Sequence, residues 1–192
     1  SSDGTVDIIR NPKLQNIKVV GKDHIGRGSA LNLGLENATG DYICILDSDD
    51  LINSKWIELF FKNHAEYHHA GIFFGQITTD ISFFKSYKPP RFISQSILNP
   101  LKILFYNPIC HSGTIFKRSI ACQINGYSTS IKSQFDWDLW LRLAFAKENF
   151  VAINYLTTFK RLHSNQSFES KQHFFYTIRG VVLQLRATMN SK

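Results

Sequence analysis

The chain has 192 residues, of which 43% are hydrophobic, 14% aromatic and 19% charged, with a formal net charge of +7. That length suits one domain of ~100–200 residues, and so much apolar side chain excludes a disordered tail. No run approaches the ~18 apolar residues of a membrane-spanning helix, and Ser1-Ser2-Asp3-Gly4 lacks the basic start and apolar run of a signal peptide. The expectation is a soluble chain in the cytoplasm whose surplus positive charge seeks an anionic partner.

Val6–Arg10 reads as a helical turn and Ile17–Val20 as a short strand. After the small-residue loop Gly26-Arg27-Gly28-Ser29-Ala30, the apolar residues Ala30, Leu31, Leu33, Leu35 and Ala38 predict a helix closed by Gly40. Asp41–Leu46 has the polar-then-apolar character of a strand buried on both faces, and it stops at Asp47-Ser48-Asp49-Asp50. Asn53 or Ser54 caps a helix carrying Trp56, Leu59 and Phe60, and Ala70–Ile77 is a further strand.

From Asp80 to Asn107 aromatic residues interleave with Lys85, Lys88, Arg91 and Lys102, and Pro89-Pro90 predicts an irregular segment. Thr114–Phe116 is a short strand, Asp136–Lys147 an amphipathic helix with Trp137, Trp140, Leu141 and Ala144 on one stripe, and Phe150–Ile153 a last strand. Helical periodicity returns from about 171 to 189. Strands alternating with helices predict an α/β fold with parallel strands.

Cys44, Cys110 and Cys122 are odd in number and fit no CxxC or zinc spacing, a pattern of reducing compartments. The acidic run is more informative. It places three carboxylates at the carboxyl end of a strand, where open α/β sheets bind ligands. Like charges so close call for a cation, and oxygen ligands suit Mg²⁺ or Mn²⁺ with coordination sites left for phosphates. Two readings stand on these residues alone: a metal and phosphate site, or a turn at Asp47 with Asp49 and Asp50 capping the next helix. An EF-hand fails, since Leu51-Ile52 interrupts its spacing. A dinucleotide fingerprint fails too, because the Gly26–Gly34 loop lacks the third glycine.

The run from Lys22 to Asp50, with Gly26, Ala30, Asn32, Gly34, Ala38, Gly40-Asp41-Tyr42-Ile43 and Leu46-Asp47-Ser48-Asp49-Asp50, resembles the nucleotide-sugar-binding half of family 2 inverting glycosyltransferases. Downstream, His111–Arg118, Asn125-Gly126-Tyr127, Gln134–Leu143 and Phe159–Ser164 are similar to that family's acceptor-side elements, in the same order. The resemblance implies a Rossmann-like GT-A fold with a mostly parallel central sheet flanked by helices. It also implies one domain, with 1–80 on the nucleotide-sugar side, 81–170 on the acceptor side and 171–192 a terminal helix. Relatives open with a strand, a helix and a second strand, so the chain is expected to be an N-terminally shortened piece of such a domain.

Carried over by position, Asp47 contacts the ribose or sugar, Asp49 binds Mn²⁺ or Mg²⁺, Asp50 supports them, and Asp136 is the catalytic base. Arg27 is either a diphosphate or base contact or a solvated loop residue. His163 either completes the metal shell or is a surface histidine. Phe135 stands where relatives have Glu, and the Gln-x-x-Arg-Trp motif of processive synthases is missing, which favours transfer of single sugars.

The implied activity is metal-dependent inverting transfer from a nucleotide-diphosphate sugar, a UDP-sugar by family frequency, to a saccharide or lipid-linked acceptor in cell-surface polysaccharide or lipopolysaccharide synthesis. The basic aromatic segment adds contact with an anionic membrane at its inner face. Two rivals remain: an inactive relative that binds without turnover, and a single-stranded nucleic-acid module built on the aromatics. The carboxylates would repel nucleic-acid phosphates, so no nucleic-acid partner is expected.

Overall fold

The computed structural model describes residues 8–9, 16–21, 25–131 and 134–162. In chain order the elements are α1 (Arg27–Asn37), β1 (Tyr42–Cys44), β2 (Leu51–Ile52), α2 (Trp56–Asn63), a 3₁₀ turn (His64–Tyr67) and β3 (Ile72–Thr78). They continue with α3 (Ile81–Ser86), β4 (Gln95–Ile97), a second 3₁₀ turn (Pro100–Leu104), β5 (Ile115–Lys117), α4 (Arg118–Gln123), α5 (Phe135–Phe145) and β6 (Phe150–Phe159).

The sheet runs β1-β5-β3-β6-β2, with β4 also on β6. Side chains alternate across it, as the pleat requires. Ile72, Phe74, Phe116 and Phe150 join one apolar cluster with Leu139, Trp140 and Leu143 of α5, while Phe73, Ile115, Val151 and Ile153 join another with Trp56 and Phe60 of α2. Helices therefore cover both faces, the α/β arrangement expected. Burying each of these large side chains contributes roughly 1.5–3 kcal/mol.

Strand direction needs a correction. Among the described strands only β3 and β6 pair in parallel, and the other four pairings are antiparallel. The cause is placement: β5 inserts between β1 and β3 and runs against both. β1, β3 and β6 still share one direction, so the helical crossovers survive within a mixed sheet. Among the described strands β1 lies at the edge, half-buried rather than covered on both faces.

Ile17–Val20 forms no strand; these residues find no sheet partner among the described residues, and Ile17, Val19 and Val20 are exposed. The segment from 80 to 107 is more regular than its composition predicts. Tyr87 Oη accepts from Leu156 N, Asn154 N donates to Ser94 O, and β4 pairs with β6, so the segment is laid along that strand. Then Trp137 Nε1 donates to Ile103 O at 2.6 Å, fastening the second 3₁₀ turn to α5. The helix expected over 171–189 lies outside the described residues.

Candidate active site

The acidic turn leaves the sheet between β1 and β2, and its backbone is tied down from both sides. Ile45 N donates to Thr114 O and Gly113 N to Ile45 O, while Asp47 N donates to Ser112 Oγ at 3.0 Å. Gly113 sits at φ +81°, where a Cβ would overlap Thr158 Oγ1, so glycine is required for this close approach. Ser112 Oγ donates to Asp50 Oδ2 at 2.6 Å, and Arg161 N donates to Asp50 Oδ1 at 3.0 Å. Asp50 is thus buried and held on both oxygens by residues from distant strand ends.

Arg27 is the first residue of α1, and its Nη2 lies 2.7 Å from Asp47 Oδ1. The loop glycine beside it has a packing purpose: a Cβ on Gly28 would come within 2.5 Å of Ser128 O, so α1 docks backbone to backbone on the loop after Tyr127. Asn32 completes that joint, donating Nδ2–H to Tyr127 O at 2.8 Å and accepting from Tyr127 N at 2.7 Å. The guanidinium also stacks over the Phe135 ring, with Cζ 4.6 Å from its centroid. Arg27 therefore bridges the acidic turn and the start of α5.

Gln134 enters α5 in the left-handed region at φ 54°, a conformation that costs about 1–3 kcal/mol and concentrates at functional sites. Asp136 and Asp138 occupy the first turn, where the helix dipole favours negative charge. Asp138 is buried and pairs with Arg142 Nε at 2.9 Å, a structural role. Asp136 instead is half-buried and accepts from Asn107 Nδ2 at 3.0 Å.

Buried Tyr127 and half-buried Cys110 feel both carboxylate sets. Burial pushes the Tyr127 hydroxyl up, and the charges of Asp136 and Asp47 push it further. Burial likewise raises the Cys110 thiol to about 11; Lys160 opposes this, while Asp50 and Asp136 add to it. Far apart in sequence, Asp47 and Phe135, the neighbour of Asp136, both lie against His111, at 3.6 Å and with ring centroids 5.8 Å apart. His163 lies outside the described residues. His64, His68 and His69 pack among aromatic rings and one another.

One oxygen each of Asp47, Asp49 and Asp50 lies within 4.8 Å of the others, and no other group of three such ligands occurs among the described residues. Mg²⁺ with ligands at ~2.0–2.1 Å holds opposite oxygens about 4 Å apart, so the spacing and the hard oxygen donors fit such a cation.

Burial alone would raise the Asp47 carboxyl, but the His111 imidazole and the Arg27 guanidinium outweigh it and hold the pKa at about 2. A carboxylate depressed below its unfolded value of ~3.9 contributes stability that is complete above that value and is lost as pH falls through the folded one. For Asp47 the window runs from pH ~4 down to about 2. Arg27→Ala is expected to shift acid unfolding to higher pH, measured by circular dichroism; unfolding at the wild-type pH would contradict the pairing.

Sequence reading named Arg27, Asp47, Asp49 and Asp136 but not Asn107, Tyr127, Ser112 or the imidazole of His111. Their partners lie 29 to 65 positions away or, for His111 and Tyr127, come from a run read only as a strand and a turn.

The profile of the family described as "Glycosyl transferase family 2" matches residues 1–124. EpsE of Bacillus subtilis, a protein named as a glycosyltransferase, is 28% identical over 202 residues, covering 100% of this chain and 69% of EpsE. An uncharacterized glycosyltransferase of Methanocaldococcus jannaschii is 26% identical over 165 residues, 81% of this chain and 56% of that protein. Among solved structures, S. aureus TarS 1–349 in complex with UDP-GlcNAc superposes with TM-score 0.72 at 17% identity, over 96% of this chain and 54% of that one. The chain spans about half the length of that structure, and the likeness shows a shared GT-A fold. With the profile covering most of its length and the acidic turn in place, the chain belongs to glycosyltransferase family 2.

Proposed function

We propose that the protein transfers one sugar from a nucleotide-diphosphate sugar, a UDP-sugar, to a hydroxyl of a saccharide or lipid-linked acceptor, with inversion and with Mn²⁺ or Mg²⁺, in cell-surface polysaccharide or lipopolysaccharide synthesis. The observation that carries this reading is the meeting of the acidic turn with the start of α5 through Arg27, which touches Asp47 and Phe135 together. The TarS complexes with UDP-GlcNAc and UDP support the donor class.

In this reading Asp49 holds the cation, with Asp50 supporting it, and the cation when bound would neutralise charge on the departing diphosphate. Asp47 contacts the ribose or sugar, and Arg27, already poised at the turn, contacts the diphosphate. Asp136 takes the proton of the acceptor hydroxyl as that oxygen attacks the anomeric carbon, in a single displacement. Asn107 holds the Asp136 carboxylate by one oxygen and leaves the other for the acceptor.

The acceptor side also supports contact with an anionic membrane at the inner face. Between Ile81 and Asn107 the sequence has Lys85, Lys88, Arg91 and Lys102 and no acidic residue. Phe83, Phe92, Leu101 and Phe105 are exposed there, with Phe92 78% exposed. The same segment ends at Asn107, beside Asp136, so a lipid-linked acceptor resting on it has its head group close to the base. No helix among the described residues is long and apolar enough to cross a membrane. Vesicles containing phosphatidylserine should bind the protein and release it in salt, and replacing Lys85, Lys88 and Arg91 by Ser should remove the binding. Equal binding to neutral vesicles would contradict it.

The transfer itself is tested by turnover across a panel of nucleotide sugars with Mn²⁺ or Mg²⁺, using the full chain. Phe135 favours a second reading, binding without turnover, because the carboxylate of relatives is replaced by a ring packed on Arg27. Donor binding with no transfer or hydrolysis on any acceptor would select it.

A further inference from the structure

His111 is 6% exposed and lies between the two halves of the site. Its ring packs edge-on against Tyr127 and Phe135, with centroids 5.7 and 5.8 Å apart, and at a tilt against Trp140 at 6.4 Å. Nε2 is 2.9 Å from Tyr127 Oη. Nδ1 is buried, makes no hydrogen bond, and stands 3.6 Å from Asp47 Oδ1, the oxygen that Arg27 also approaches. Both approaches fall on the same oxygen, Oδ1.

Which ring nitrogen carries the proton follows from its neighbours. Among the described residues the Tyr127 hydroxyl has no acceptor other than Nε2, and a buried O–H donates where it has an acceptor, so Nε2 presents its lone pair. On the other side stands an oxygen of Asp47, 3.6 Å away, so a second lone pair on Nδ1 would face an acceptor in a buried setting. Both contacts call for the same form, with hydrogen on Nδ1.

We propose that His111 is a positioning residue for Asp47: the Tyr127 hydroxyl fixes the ring as its Nδ1–H tautomer, and that N–H steadies Oδ1 so that Oδ2 is left for the donor's hydroxyl groups. The tautomer stands on geometry alone, while the effect on the donor rests on the nucleotide-sugar reading above. Asp47 needs to move by only about half an ångström to make the contact a hydrogen bond, and such contacts commonly tighten when substrate arrives. The arrangement is anchored at its far end, because the Tyr127 backbone is joined to Asn32 of α1, the helix that carries Arg27.

Long-range ¹H–¹⁵N correlation spectra of the histidine-labelled chain at neutral pH decide the tautomer, with His111 assigned by its loss in His111→Asn. The expected result is a protonated Nδ1 and a bare Nε2 in the wild type, with the bare Nε2 signal displaced in Tyr127→Phe by loss of its hydrogen bond. An Nε2–H or doubly protonated ring in the wild type overturns the proposal, as does an Nε2 signal indifferent to Tyr127→Phe. Calorimetry with UDP and Mn²⁺ should show binding weakened about tenfold or more in His111→Leu and largely restored in His111→Asn, whose amide N–H stands near the place of Nδ1–H. At saturating donor, kcat should change little. Wild-type affinity in His111→Leu overturns the positioning role. A wild-type chain that binds no UDP sinks the nucleotide-sugar reading instead, while the spectra still judge the tautomer.

Discussion

Asp136→Asn is expected to lower kcat roughly 10²- to 10⁴-fold, the usual contribution of a positioned general base. Donor KM should stay near the wild-type value, because Asp136 lies on the acceptor side and acts as the new bond forms. The variant should fold normally. Asn107 donates to a side-chain oxygen that the amide keeps, and Asp138 remains in the first turn of α5 to face the helix dipole. Single-turnover kinetics separate the steps: donor binding unchanged, transfer slowed. Wild-type turnover in this variant would remove Asp136 from the chemistry and leave its place at the helix start as a capping role.

Asp49→Ala is expected to behave differently, weakening both metal and donor. Losing several kcal/mol of charge stabilisation, at about 1.4 kcal/mol per tenfold, corresponds to a roughly 10²- to 10³-fold fall in kcat/KM. Part of that loss should be recovered by raising Mn²⁺, whereas no metal concentration should recover Asp136→Asn. Asp49 shares the turn with Asp47 and Asp50, and Asp50 holds the turn through Ser112 and Arg161 N, contacts the variant keeps. Activity unchanged in Asp49→Ala at micromolar metal would contradict a metal-dependent transfer.

Much of the fold was legible because local chemistry and burial agree. The runs at 72–78, 115–117 and 150–159 alternate between two apolar clusters, and the stripe on α5 packs where its helical spacing points. Failures occurred where pairing decides. Ile17–Val20 has strand composition but no partner strand among the described residues, and Ile43 and Ile45 look like a buried central strand yet border an edge. The segment 81–107 looks irregular because its order comes from β6 and α5 and not from its own periodicity.

The sequence by itself determined the residue types the chemistry needs: a close acidic run at a strand end, an arginine after a glycine, and an aspartate at the start of an amphipathic helix. Their spacing along the chain is short-range information, and propensity and repulsion act at that range. Only the tertiary structure decided that Arg27 meets Asp47 and Phe135 at once, that Asp50 is held by Ser112 and Arg161, and that His111 stands between Asp47 and Tyr127. Those contacts join positions up to 111 residues apart, and their geometry exists only after the sheet brings the strand ends together.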